Sequence, residues 1–323
     1  MDISESAVRD LTGKLGLLKK EIQKIIVGQD EVLEEIIIAM LAGGHCLLEG
    51  VPGLAKTLMV RTLSQAVNLA FRRIQFTPDL MPTDILGTEI LEEDHATGKR
   101  FFKFNQGPLF ANIVLADEIN RTPPKTQSAL LEAMQEFEVT FGGKTYPLGR
   151  PFFILATQNP IEQAGTYPLP EAQLDRFLLY VKIGYPTAGE EVQILSSTTG
   201  NRDVKIEPVL AGDEIVRLQS LVRDVNINPD LIEYVSRWVR ATRPATTDSK
   251  YVKDWVQWGA GPRAGQALIV TAKARALFKG RYSVIREDLQ TMAPPVFRHR
   301  IAMNFKAEAE NITADDVVRE IVV

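Results

Sequence analysis

The 323-residue sequence contains one cysteine, Cys46, and three histidines. A single cysteine forms no internal disulfide, and so few Cys and His leave no zinc-type ligand cluster. Cys46 sits in an apolar run and reads as a small buried hydrophobe in a protein of a reducing compartment. No apolar stretch approaches the roughly 20 residues that span a bilayer. Met1-Asp2-Ile3-Ser4-Glu5 lacks the basic segment and apolar core of a secretory signal. A cytoplasmic protein without direct membrane insertion is therefore expected. The net charge of −4 and the absence of a basic run speak against a nucleic-acid surface. There is no internal repeat and no low-complexity tract. What remains is 45% hydrophobic and 24% charged, an ordinary globular balance, in a chain long enough for one large or two ordinary domains.

Val8, Leu11, Leu15, Leu18, Ile22 and Ile25 recur at helical steps, and a second helix is expected from about Asp30 to Ala42. Short apolar runs follow at His45 to Glu49, Ala70 to Phe76, Asn112 to Asp117, Phe152 to Thr157 and Phe177 to Ile183. Helical patterns separate several of them, which predicts a mostly parallel sheet with helices on its faces. Two hairpins interrupt the alternation. One pairs Ile90-Leu91 with Phe101 to Phe104 across Asp94 to Lys99. The other turns at Gly142-Gly143 between Glu138 to Phe141 and Lys144 to Tyr146. Beyond Tyr185-Pro186 strand signals are scarce. Thr187 and Glu190 form a capping box, Asn228-Pro229 and Thr313 to Asp316 start helices, and Arg263 to Phe278 is a helix stopped at Gly280. Residues 187–323 thus read as a smaller all-α domain after a core of residues 1–186. Residues 243–262 read as a long loop.

Gly50-Val51-Pro52-Gly53-Leu54-Ala55-Lys56-Thr57 follows an apolar strand and precedes a helix. Gly, four residues, a small residue, Lys and Thr is the pattern of a loop that cradles nucleotide phosphates. Backbone N–H groups and a helix N-terminus face the anion, Lys adds charge, and the Thr hydroxyl can hold Mg²⁺. Ala55 stands where glycine is usual. The sequence places it near the first helical turn, where a methyl group is tolerable, with Gly53 supplying flexibility. About 60 residues on, the strand Ile113 to Asp117 delivers Asp117 and Glu118 to its end. Such a pair divides into a metal-holding carboxylate, Asp117, and a water-polarising one, Glu118. An ordinary strand end would carry the same residues; the spacing from the loop favours the chemistry. Asn159 can orient a water, or simply start a turn with Pro160. Arg176 suits a charge clamp, or a salt bridge with Asp175.

These blocks resemble the MoxR-type ATPases of the AAA+ superfamily. The resemblance spans essentially the whole chain. It rests on Val27-Gly28-Gln29, Gly50 to Thr57, Asp117 to Arg121 continuing into Lys125 to Met134, Ala156 to Pro160, Gly165 to Phe177 and Gly261 to Ala264. It makes Ala55 a family mark. It implies an α/β P-loop core with inserted hairpins and a helical lid. It also implies ATP and Mg²⁺ as ligands and hydrolysis as the activity. Val27 and Gly28 would border the adenine. Pro52, Gly53, Leu54, Ala55, Lys56, Thr57 and Leu58 would hold phosphates, with Thr57 and Asp117 on the metal. Glu118 would be the Walker B base, Asn159 sensor 1, Arg176 the arginine finger and Arg263 sensor 2. Arg176 would act on a neighbouring subunit's ATP, and Arg263 either there or in its own site, which implies a ring, expected as a hexamer. Arg121 is a second candidate for that reach, or a local salt bridge.

The implied function is remodelling of a protein client, possible partners including proteins with a von Willebrand factor A domain. The alternatives are a nucleic-acid translocase, a metal-chelatase motor subunit and a non-hydrolysing switch. Phe101, Phe102 and Phe104 suit either a client grip or packing. Lys144 suits a nucleic-acid contact or a solvated turn.

Overall fold

A computed structural model describes residues 5–93, 98–160, 165–200 and 204–322, and the side chains from residue 9 onward within them. Val8 as a core residue and the hairpin turn at Asp94 to Thr97 lie outside that description. Two helices open the fold, α1 (Glu5–Gln23) and α2 (Asp30–Leu41), followed by β1 (Cys46–Glu49), α3 (Lys56–Ala66) and β2 (Phe71–Gln75). A short α4 (Pro82–Leu86) leads into β3 (Gly87–Glu93) and β4 (Arg100–Gln106). Then come β5 (Ile113–Asp117), a 3-10 turn (Ile119–Arg121), α5 (Pro124–Glu136), β6 (Glu138–Phe141) and β7 (Lys144–Pro147). The core closes with β8 (Phe153–Gln158), α6 (Glu171–Leu174) and β9 (Leu179–Lys182).

Five strands form one parallel sheet in the order β2-β5-β8-β1-β9. Helices cover both faces, which is why the strands are apolar at successive positions rather than alternate ones. Cys46, Leu48, Ile113, Leu115 and Leu155 face α1, α2 and α3; Leu47, Val114, Ala116 and Ile154 face Leu130, Leu131 and Met134 of α5. Leu15, Leu18 and Ile22 of α1 are fully buried. Each such side chain contributes about 1.5–3 kcal/mol. Cys46 is buried and its thiol is pushed well above its ordinary pKa by burial, so it behaves as a hydrophobe.

Both hairpins form. β3 pairs β4 with Leu91 opposite Phe102, and β6 pairs β7 across Gly142 and Gly143 at φ 57° and 76°. Two successive positive φ angles are what a tight hairpin turn needs. Phe104 stacks on Tyr146 at 4.3 Å between ring centroids and meets Phe141 at 5.4 Å, tying one hairpin to the other. Phe104 is thus packing, whereas Phe101 is 46% and Phe102 70% exposed.

The helical part holds α7 (Ala188–Thr198), α8 (Gly212–Asp224), α9 (Pro229–Ala241), α10 (Lys250–Trp255), β10 (Val256–Trp258), α11 (Pro262–Phe278), α12 (Arg286–Phe297), β11 (Ala302–Met303), α13 (Phe305–Ala309) and α14 (Ala314–Ile321). The Thr187–Glu190 capping box is present. Two expectations need correction. Residues 243–262 are not a plain loop but contain α10 and β10, started by the Ser249 hydroxyl accepting the Val252 N–H. The region is also not purely helical, because β10 pairs antiparallel with β11. α11 packs on α12, α9, α8, α2 and α1, so one hydrophobic core runs from the first helices into this part. At the α11–α12 contact, burial pushes the Asp288 carboxyl up. Arg281, the Ile285 N–H and Arg275 outweigh that and hold it below its ordinary value. No helix among the described residues is long and apolar enough to cross a membrane.

On α2, burial pushes the Glu35 carboxyl up to about 7; Arg298 opposes the shift, while Glu31, Asp315 and Glu34 add to it. A carboxyl raised on folding lowers stability as pH climbs from its unfolded value of 4.5 through its folded value of about 7. Glu35→Gln is therefore expected to be nearly neutral at pH 4.5 and to stabilise by on the order of 2 kcal/mol at pH 8. Denaturant titrations at the two pH values measure it. Equal effects at both would remove burial as the cause.

Candidate active site

β1 ends at Glu49 and the chain turns into α3 through Gly50–Ala55. Gly53 has φ 88° and Ala55 φ 54°. Ala55 is the N-cap of α3 and Lys56 its first helical residue. Ala55 thus lies beside the first helical turn, as expected, at the cap position. It precedes that turn in a left-handed conformation, which is why glycine suits the position. An alanine there costs roughly 1–2 kcal/mol. The free N–H groups of the first turn of α3 open onto a cavity of about 440 Å³. Its lining is the run Pro52 to Leu58, with Arg73, Asp117, Glu118 and Asn159. The structure therefore brings together the whole proposed phosphate and metal set, including Thr57, with the two acids and Asn159. Lys56 donates to the Gly50 carbonyl. Burial lowers its pKa, opposed by Asp117, Glu118 and Glu49.

The acids are held closely. Thr157, at the end of β8, donates its hydroxyl to Asp117 Oδ1 at 2.6 Å and accepts the Glu118 N–H at 2.9 Å. Arg73 donates to Asp117 Oδ2 from Nη2 at 2.6 Å and from Nε at 3.0 Å. Glu118 Oε2 accepts from Gln75 at 2.7 Å and Arg121 at 2.8 Å. Glu118 itself is left-handed at φ 59°, a strained backbone for a non-glycine residue. Arg121 thus pairs within its own chain. Arg73, Gln75 and Thr157 were given no role in the sequence reading. The signal was present in Arg73 and Gln75, two polar residues at alternate positions of an otherwise strand-like run. The parallel register sets Gln75 beside Asp117.

Other proposed residues lie elsewhere. Val27 and Gly28 are not in the cavity lining. Gly28, at φ 68°, abuts Glu190 of α7, where an added Cβ would meet Oε1 at 2.5 Å, and Gln29 donates to the Gly184 carbonyl at 2.8 Å. Arg176 and Arg263 line a second cavity of about 790 Å³ together with Arg223 and His45. His45 precedes β1 and the phosphate loop follows it, so the two cavities lie at opposite ends of a strand roughly 13 Å long. Asp175 pairs with Arg300 at 2.7 Å and with Arg263 at 3.4 Å, not with Arg176. No hydrogen bond or ion pair joins the half-buried Arg176 side chain to any described residue.

A phosphate loop after one central strand and paired acids after another, in a five-stranded parallel sheet followed by a helical lid, define an AAA+ ATPase. The profile of the ATPase family associated with various cellular activities (AAA) matches residues 45–179, and that of an AAA lid domain matches residues 249–321. The chain is 46% identical to Chaperone MoxR1 of Mycobacterium tuberculosis, over 93% of this chain and 79% of that protein. It is 29% identical to Protein MoxR of Methylorubrum extorquens, over 88% and 86% of the two chains. A crystal structure of a candidate ATPase from Cytophaga hutchinsonii superposes with a TM-score of 0.89 at 41% identity, covering 97% of this chain and 94% of that one. The chain belongs to the MoxR family of AAA+ ATPases, nucleotide-binding proteins of chaperone type.

Relieving the left-handed alanine tests the loop geometry. Ala55→Gly is expected to raise unfolding stability by about 0.5–1 kcal/mol, the strain removed less the entropy glycine adds to the unfolded chain. A clear loss of stability in a denaturant titration would show that the methyl group is packed rather than strained.

Proposed function

We propose that this protein is a magnesium-dependent ATPase that works in the cytoplasm as a homo-oligomeric ring, a hexamer, and remodels protein clients. Residues 1–186 form its nucleotide-binding core and residues 187–323 its lid. The observation that carries the reading is the separation of the site into two halves. The phosphate loop, Asp117, Glu118 and Asn159 share one cavity, while Arg176, without a side-chain partner among the described residues, stands beside Arg263 at the other end of β1. An arginine placed there serves a nucleotide other than its own chain's.

The donor set fits a magnesium nucleotide. Backbone N–H groups and Lys56 suit phosphates, and the Thr57 hydroxyl and Asp117 carboxylate are hard oxygen ligands. Bound magnesium supplies positive charge at the phosphate oxygens. Glu118 accepts the proton of the attacking water, and Asn159 holds that water in line. Arg176 and Arg263 of the adjacent copy neutralise charge on the transferring phosphoryl group. Val27 and Gly28 border the adenine beside the start of α7. The exposed Phe101 and Phe102 of the β3–β4 hairpin suit contact with a polypeptide client. A von Willebrand factor A protein is the partner class we propose.

Glu118→Gln is expected to keep ATP binding and lose turnover. Arg176→Ala should hold ATP within about threefold of wild type while turnover falls by about 10³ or more. Mixing the two inactive proteins is expected to restore part of the activity, because some interfaces then join an intact acid to an intact arginine. No recovery on mixing, with mixed rings shown by mass spectrometry, would return Arg176 to its own chain's site.

A further inference from the structure

Both oxygens of Asp117 are already engaged by the chain's own donors. Thr157, 1% exposed, takes Oδ1 through a hydroxyl that also caps the Glu118 N–H, so moving it would disturb both acids. Arg73 takes Oδ2 with two N–H groups. Its side chain is 47% exposed against 13% for Asp117, and β2 is the edge strand of the sheet. It can swing outward without opening the core. Its remaining contact near the site is an Nη2 bond to Gln75 on its own strand. Within the same cavity Lys56 is turned toward the loop carbonyl of Gly50, so Arg73 is the cation bonded to the metal-side acid.

We infer that Arg73 is a positioning residue that competes with the divalent cation for Oδ2 of Asp117 and so sets the metal concentration at which nucleotide is held. The inference deepens the magnesium-nucleotide reading and rests on it. A cation can use Oδ2 only in the fraction of molecules whose guanidinium has moved away, and its apparent affinity is reduced by that fraction. A half-exposed ion pair is a weak competitor. The effect is therefore several-fold rather than orders of magnitude. Holding Asp117 by Arg73 also keeps a mostly buried carboxylate neutralised, which limits the cost of its burial.

The test is binding of mant-ADP to the full chain by fluorescence, titrated with MgCl₂ and, separately, in excess EDTA. Arg73→Met and Arg73→Gln remove the charge while keeping a side chain of similar reach. In both, the Mg²⁺ concentration for half-maximal binding is expected to fall three- to tenfold, while the affinity in EDTA stays within twofold of wild type. Thermal melts identify which variant is folded, and either one suffices. An unchanged or raised Mg²⁺ requirement in a folded variant overturns the inference. So does a tenfold loss of affinity in EDTA, which would make Arg73 a phosphate ligand. If wild-type protein binds no mant-ADP at all, the nucleotide reading falls and this inference with it. A changed metal requirement cannot be mistaken for that result.

Discussion

The Thr157 hydroxyl, buried at the end of β8, donates to Asp117 and accepts from the N–H of Glu118. It uses both of its hydrogen-bonding capacities on two adjacent residues of the neighbouring strand. A buried hydroxyl satisfied in this way has few alternative positions. It fixes the first acid in rotation and holds the second in a left-handed backbone that would otherwise relax. Glu118 is then aimed into the cavity by its backbone rather than by side-chain contacts alone. The phosphate loop reaches the same point from β1 on the other side of β8, so the parallel pairing of β5, β8 and β1 sets the distance between loop and acids.

The same sheet keeps two kinds of positive charge apart. Lys56 and the first turn of α3 stand at the carboxyl ends of the strands. Arg176, which precedes β9, stands at their amino ends. Neither group can shift toward the other without breaking strand pairing. Among the described residues no carboxylate pairs with the half-buried Arg176, and its sequence neighbour Asp175 is held by Arg300 and Arg263. A local rule, that adjacent Asp and Arg pair, gives way here to a long-range one. Asp175 faces the end of α12 and the start of α11, while Arg176 lines the cavity beside them.

Legibility in the sequence followed contiguity. The phosphate loop, the Asp117-Glu118 pair and both hairpins are runs of adjacent residues whose chemistry or turn geometry is local, and they were readable. Arg73 and Thr157 enter the site through strand register, which joins residues about 40 positions apart; the alternate polar residues Arg73 and Gln75 mark one face of β2 but not the acid they meet. The place of Ala55 beside the first turn of α3 was readable, but its left-handed backbone was not, because a methyl side chain carries no mark of a positive φ. β10 and α10 were hidden in a stretch whose Gly, Pro and Thr content resembles a loop. β10 exists because β11, more than 40 residues later, supplies its hydrogen bonds.

α5 begins a few residues after Glu118 and ends one residue before β6. It is a helix of 13 residues, about 20 Å long, joining the acid end of the sheet to the β6–β7 hairpin. Phe104 stacked on Tyr146 couples that hairpin to β3–β4 and its exposed Phe102. The arrangement is a lever. A tilt of about 5° at the acid end would carry the far end of α5 by nearly 2 Å, estimated from its helical rise. Because aromatic stacking joins the two hairpins, that stroke would be delivered by both at once.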